Sequence, residues 1–355
     1  MVDERIKRVA ELLVDYSTEV KSGERVLIRA DPLAKDLALE VYRCALLRGA
    51  YPWIRSELPG RAYIFYKYAK DDQIRFFPEH ELAEIKNTDV YISLGAPFNV
   101  KELSSIDPAR ISTRLTVVKP ITDWRVEKTR WVIFYYPTDA LAQEAEMPLQ
   151  EFEDFVFNAC LIDWREVSQK LAKIKKALDA TDRVKIMSSD TNLEFSVKGR
   201  NAVVADGKMN MPDGELFTSL VEESVNGHIR FDIPAVYQGN MAEDITLRFE
   251  RGVVTDAKAV KNQAFLEKML ATDEGAKRVG ELGIGLNYSI TKPVKNTLFD
   301  EKIGGTIHLA LGNGYKETLS QNESAIHWDI IKDLRKDGKI YFDERLVMRN
   351  GEWLI

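Results

Sequence analysis

The chain is poor in the side chains that bind metals through sulfur or imidazole: its 355 residues include 2 cysteines and 4 histidines. Two cysteines cannot build a disulfide framework, and the absence of any CxxC pair argues against a cysteine-ligated zinc site. Cys44 falls in an apolar helical stripe with Leu33, Leu37 and Val41, and Cys160 in a similar stripe with Val156. Both read as small core hydrophobes. No apolar run approaches the ~20 residues that cross a bilayer. The start, Met1-Val2-Asp3-Glu4-Arg5, lacks the basic and apolar regions of a secretory signal. A soluble, cytoplasmic protein is therefore expected. Basic residues do not dominate either: 50 Lys and Arg stand against 56 Asp and Glu, a net charge of −6. Without a basic stripe interleaved with aromatics, the electrostatic footprint of a nucleic-acid binder is missing.

What is present is enough apolar residue for two cores: 45% of the chain is hydrophobic, and its length exceeds what one core usually supports. The first half alternates helix and strand signals. Ile6, Val9, Ala10, Leu13 and Tyr16 recur at helical spacing over 3–20. A strand is expected at Arg25–Ala30. Asp31-Pro32 then reads as an N-cap with proline at the first helical position, and that helix runs to about Leu47. Further strands are expected around Pro52–Ile54, Asp89–Leu94 and Trp131–Tyr136, and a long helical segment after Met147-Pro148 to about Leu178. This is a βαβ pattern, which implies a parallel sheet, but its turns carry no GxGxxG or P-loop fingerprint. The aromatic segment Ala62–Tyr66 reads as core or dimer contact.

At Asp179–Asp182 the texture changes. Asn192–Val197, a hairpin over Ile245–Ala259 turning at Arg251-Gly252, Thr306–Leu311, Ile340–Phe342 and Arg345–Met348 all read as strands, with a last turn at Asn350-Gly351. The expected architecture is an α/β N-terminal domain with a parallel-type sheet over 1–180, followed by an α+β C-terminal metal-binding domain over 181–355.

The scarcity of histidine makes its placement informative. His80 and His228 lie beside turn residues and read as non-ligands. His308 lies in Thr306-Ile307-His308-Leu309-Ala310-Leu311, where period-two alternation puts it on one face with the small Thr306 and Ala310. His327-Trp328-Asp329 brings imidazole and carboxylate to one side if extended, whereas in a helix they would diverge by about 200°. Glu250 ends a strand just before a turn, and a solvated strand-end acid is the plain reading of it. Glu281 is different: it stands between Gly280 and Gly283 among apolar residues, a poor place for a solvated acid, and buried acids are usually paired or on a metal. Asp300-Glu301 adds acids close to His308. Imidazole and carboxylate together suit zinc, cobalt, manganese or iron. The residues alone leave the number of metals open.

In order along the chain, Phe249-Glu250-Arg251-Gly252, Gly280-Glu281-Leu282-Gly283, the run Asp300-Glu301-Lys302-Ile303-Gly304-Gly305-Thr306-Ile307-His308-Leu309-Ala310-Leu311-Gly312, Tyr315 and His327-Trp328-Asp329 resemble the aminopeptidase T family of thermophilic and bacterial metallo-aminopeptidases. Pro212-Asp213-Gly214-Glu215-Leu216-Phe217-Thr218 resembles a further segment of that family. The resemblance covers about 180–355 well and the first domain in outline. It implies two divalent ions (zinc, cobalt or manganese) held by Glu250, Glu281, His308, His327 and Asp329, a peptide substrate and a homodimer. It places Tyr315 as an active-site tyrosine and Glu301 as an acid upstream of His308, each a ligand or a catalytic group, with Glu301 read as the general base. In a mechanism built on these residues the substrate's α-amino group sits at a metal or at an acid such as Glu215. The segment Leu319-Ser320-Gln321-Asn322 stands where the family has a glycine-rich turn. A second reading uses His308, His327 and Asp329 as the two-histidine-one-carboxylate set of a mononuclear non-haem iron ring-cleaving dioxygenase, although one iron has no need of Glu250 and Glu281. A third is a binding or structural protein in which metal serves only stability.

Overall fold

The computed structural model describes residues 3–237 and 239–355; Met1 and Val2 of the amino-terminal stretch lie outside the described residues, as does Gln238. The chain divides into two compact units, Met1–Leu161 with Gly207–Pro212, and Ile162–Asp206 with Asp213–Ile355.

The first unit is built on a parallel sheet in the spatial order Tyr51–Ser56, Arg25–Ala30, Val90–Gly95, Arg130–Tyr135 and Asn210–Met211. Buried Val26, Ile28, Val90, Ile92, Val132 and Phe134 explain why these stretches read as apolar runs. The helix Lys35–Leu47 follows the Arg25–Ala30 strand and buries Leu37, Val41 and Cys44. Asp31 and Pro32 open the helical segment as expected, through the short turn Pro32–Ala34 of which Asp31 is the N-cap, but the Asp31 side chain does not cap it. The Asp31 carboxylate accepts instead from the Ala96 amide at 2.8 Å, tying together the ends of two strands. Several helices went unread in the sequence, two of them for a shared reason. Pro108–Lys128 carries Pro120 inside it and buries no residue fully, so it has no sharp apolar face to detect. Arg61–Tyr68 encloses the aromatic segment, and it too buries no residue fully.

The expected single helix before the boundary is two, Leu149–Cys160 and Trp164–Asp179. Asp163 starts the second by accepting from the Arg165 and Glu166 amides. This helix belongs to the second unit and lays Leu171, Ile174 and Leu178 on its core. The division therefore falls at Leu161/Ile162 rather than near 180, and Gly207–Pro212 returns to supply an edge strand of the first unit.

The second unit holds two antiparallel sheets. One has nine strands, including the long hairpin Asn240–Glu250 with Val253–Lys261, which turns at Arg251-Gly252. At its far edge the Arg345–Arg349 strand turns through Asn350-Gly351, both at positive φ (50° and 78°), the backbone a two-residue hairpin requires. The other has five strands in the order His327–Asp333, Thr306–Gly312, Val279–Gly285, Glu215–Thr218 and Val203–Ala205. One face of this sheet, with Leu282, Ile284, Ile307, Leu309, Leu311, Trp328 and Ile330, belongs to the apolar core shared with Leu193, Phe195, Ile229 and Leu247 of the other sheet. Strand alternation then puts the polar residues of these strands on the opposite face.

Candidate metal centre

The opposite face is assembled by register. Glu281 pairs with Ala310, which pairs with Asp329; Gly283 pairs with His308 and with Phe217; Gly285 pairs with Glu215; Gly312 pairs with His327. Directly opposed residues share a face, so Glu215, Glu281, His308, His327 and Asp329 converge from four strands. The small partners are a steric need. A Cβ on Gly283 would stand 1.9 Å from the His308 ring, so only glycine leaves room for that imidazole.

The side chains fall into two groups whose candidate ligand atoms lie within 4.8 Å of one another, Glu215–Glu301–His308 and Glu281–His327–Asp329. Glu281 joins them: one of its oxygens is 3.1 Å from His308 Nε2 and the other 3.9 Å from His327 Nε2. Asp329 Oδ1 is 3.4 Å from His327 Nε2 and 3.9 Å from His308 Nε2. Each imidazole is turned by its other nitrogen. His308 Nδ1 donates to the Glu301 carbonyl (3.2 Å) and His327 Nδ1 to the Asn313 carbonyl (2.7 Å). A carbonyl can only accept, so Nδ1 carries the proton and Nε2 faces the carboxylates. Metal-binding histidines are usually held in this way.

Burial pushes the Glu215, Glu281 and Glu301 carboxyls above their ordinary range. Burial pulls both imidazoles down, but the carboxylates around them win, raising His308 to about 9 and His327 to about 10. For Asp329 burial acts upward and the His327 and His308 charges outweigh it, leaving about 2. Glu215 Oε2, Glu281 Oε2 and Asp329 Oδ1 are buried without a hydrogen-bond partner. Buried acid oxygens are normally satisfied. These three, aimed at two Nε2 atoms, fit divalent cations of the zinc, cobalt or manganese kind.

A model of the thermophilic metalloprotease family M29 matches residues 2–353. The chain belongs to that family. Aminopeptidase 2 of Geobacillus stearothermophilus is 28% identical over 415 aligned positions, covering 99% of this chain and 98% of the relative. Aminopeptidase T of Thermus aquaticus is 34% identical over 166, covering 41% of this chain and 40% of the relative. The solved structure of wild-type AmpT from Thermus thermophilus superposes with a TM-score of 0.87 at 22% identity, covering 99% of each chain, and shares the fold. As an M29 metalloprotease the chain is a metal-dependent peptidase, and the match reaches across both units, further than the resemblance read in the sequence. Nothing in these similarities supports the ring-cleaving dioxygenase.

The metalloprotease face departs from the sequence expectation at Glu250. That residue ends a strand of the nine-stranded sheet, its side chain is 63% exposed, and its ion-pair partner is Arg248 at 3.6 Å. It joins neither group, because the hairpin turn carries it to solvent. Glu215, expected beside a substrate amine, lies in the first group instead, with Oε2 3.8 Å from His308 Nε2. Glu301 lies in the same group. Asp300 does not, since its oxygens accept from the Val294 (2.7 Å) and Asn296 (3.2 Å) amides. Tyr315 follows the His308 strand, its ring centroid 5.0 Å from that of His327 and 5.6 Å from Phe217. Burial and then the Glu281 and Asp329 charges push its hydroxyl far above the ordinary range, so it stays a donor. His80 and His228 are exposed and stand in neither group. Lys302 went unread: it is fully buried between Glu215 and Glu301. A lysine inside the otherwise apolar and glycine-rich run Ile303–Gly312 and its acidic lead was the available signal.

Proposed function

We propose that the chain is an aminopeptidase with two divalent ions, one held by Glu215, Glu281 and His308, the other by Glu281, His327 and Asp329. The observation that carries this reading is the Glu281 carboxylate reaching both imidazoles, each already locked with Nε2 forward. A pair of such ions, when bound, acidifies a water and polarises a carbonyl. Glu301, raised by burial and with one oxygen taken by Lys302, is the general base that moves the proton to the leaving amine. The Tyr315 hydroxyl donates to the oxygen that becomes negative, an interaction worth about 3 kcal/mol. The substrate class is peptides with a free amino terminus, in keeping with the names of the relatives. The native ions are zinc, cobalt or manganese, and the working form is a cytoplasmic homodimer. Among the described residues no helix is long and apolar enough to cross a membrane.

The test is to strip the protein of metal, add Co²⁺, Zn²⁺ or Mn²⁺ in turn, and follow leucine release from a leucine-terminated peptide by mass spectrometry. Release restored by about two equivalents and blocked by N-acetylation of the peptide is expected. Cleavage of the acetylated peptide, or full release with a single equivalent, would overturn the reading.

A further inference from the structure

Lys302 is a cation with no exposed side-chain surface, in a place where the metalloprotease already needs its acids for other work. Its root is fixed, since the Lys302 amide donates to the Phe299 carbonyl at 3.1 Å and its own carbonyl accepts from the Asn287 amide at 3.0 Å. The strand opposite leaves no slack: a Cβ on Gly285 would stand 2.9 Å from the Lys302 carbonyl carbon. From that root the ammonium donates to Glu215 Oε1 at 3.2 Å and to Glu301 Oε1, with Asp213 Oδ1 4.0 Å away. Each of the two glutamates thus gives one oxygen to Lys302. The second Glu215 oxygen is the partnerless Oε2 that faces His308.

Burying an ammonium costs several kcal/mol unless acids surround it. Here the acids are the ones that would face the ion and the substrate, so the lysine acts on the site as well as on the fold. We propose that Lys302 is a positioning residue, which pins Glu215 and Glu301 by one oxygen each so that the other oxygen of each is presented to the first ion position and to the proton in transit. Two opposing effects of its charge make this testable. A cation that orients ligands strengthens ion binding, whereas one that competes for the same oxygens weakens it.

The inference rests on the two-ion reading, and the experiment separates the two. Metal-stripped full-length protein is titrated with Co²⁺ by calorimetry, as wild type, Lys302→Met and His327→Ala, with circular dichroism as a check on folding. Fewer than two binding events in the wild type would remove the two-ion reading itself. Given two events, His327→Ala identifies the one that belongs to the Glu215–His308 position. Lys302→Met is expected to weaken that event at least tenfold and leave the other unchanged, and to lower kcat more than it raises KM. Unchanged or tighter binding at that position would overturn the positioning role. Should the methionine variant not fold, Lys302→Gln, which removes the charge and whose shorter side chain withdraws the donor from both carboxylates, is held to the same two outcomes.

Discussion

Lys332 and Lys302 are both buried in the second unit and both face carboxylates, yet the sums around them differ. Lys332 donates to Asp190 and Asp232, each at 3.0 Å. Arg230 takes the other Asp190 oxygen at 3.0 Å and Asp244 at 2.6 Å, while the Asp333 amide donates to Asp232 at 2.9 Å. Every one of these acids is met by a donor. In the centre that Lys302 borders the acids outrun the donors, and Glu215 Oε2, Glu281 Oε2 and Asp329 Oδ1 end buried without a hydrogen-bond partner. Buried charge is thus a poor marker of a functional centre, because networks such as that of Lys332 merely hold strands together. Surplus acceptors converging on imidazole nitrogens are the better marker, since a cation is what they lack.

The strongest way to break this contrast is Glu281→Gln. The amide keeps the shape and removes the charge that links the two groups. Loss of a residue behind a ligand typically costs 10–100-fold, so loss of the shared ligand is expected to cost more than about 100-fold in kcat/KM. Bound metal, counted by atomic emission, should fall with it. Full occupancy with full activity would remove Glu281 from the centre.

Lys332→Met probes the balanced network and should do the reverse. It leaves metal content and rate near wild type but removes charged hydrogen bonds worth about 2 kcal/mol, seen as a fall in the melting temperature of the second unit on the order of 5 °C. Burial pushes the Asp190 carboxyl upward, but bonds from Ser188, Lys332 and Arg230 outweigh it and hold Asp190 well below the ordinary range. With a folded value below the unfolded one near ~3.9, its contribution is fully present above that pH. The contribution is lost as pH falls through the folded value. Melting curves from pH 7 down to pH 2 should therefore show the wild type losing more stability than Lys332→Met, so that the gap between them narrows as the pH falls below about 4. Parallel acid profiles would mean that Lys332 does not hold Asp190.

The legibility of the sequence followed the same physical divide. Local periodicity made the parallel strands, the Arg251-Gly252 and Asn350-Gly351 turns and the extended His327-Trp328-Asp329 readable, since each is set by neighbours two or four residues apart. His308 among small partners was readable for the same reason, and Gly283 is the partner that alternation could not name. Glu215 was missed in its actual place because it enters the centre through pairing between strands far apart in the chain, Gly285 with Glu215, and Lys302, on the turn before the His308 strand, because the carboxylate it meets there lies 87 residues earlier. The break at Leu161–Asp163 was missed because apolar spacing continues on both sides of it, and only the Asp163 cap separates the helices.

Glu250 and Glu281 show what local context can and cannot decide. Both sit on strands with apolar neighbours on alternate positions. Glu281 is flanked by glycines and its strand is buried at every residue, so solvent cannot reach its carboxylate. Glu250 precedes a turn, and its exposed strand end lets water and Arg248 satisfy it. The plain reading of Glu250 as a solvated acid matches its surroundings, whereas its place on the strand and the family resemblance had put it among the metal's acids. Glu250→Gln should accordingly leave Co²⁺ stoichiometry, kcat and KM within about twofold of wild type and shift stability by no more than about 0.5 kcal/mol, the usual range for a surface change. The same measurements on Glu215→Gln should show loss of one ion. If Glu250→Gln instead lost an ion and Glu215→Gln did not, the first ion position would belong to the hairpin and not to the five-stranded sheet, and the contrast between surplus and balanced acids would have picked the wrong glutamate.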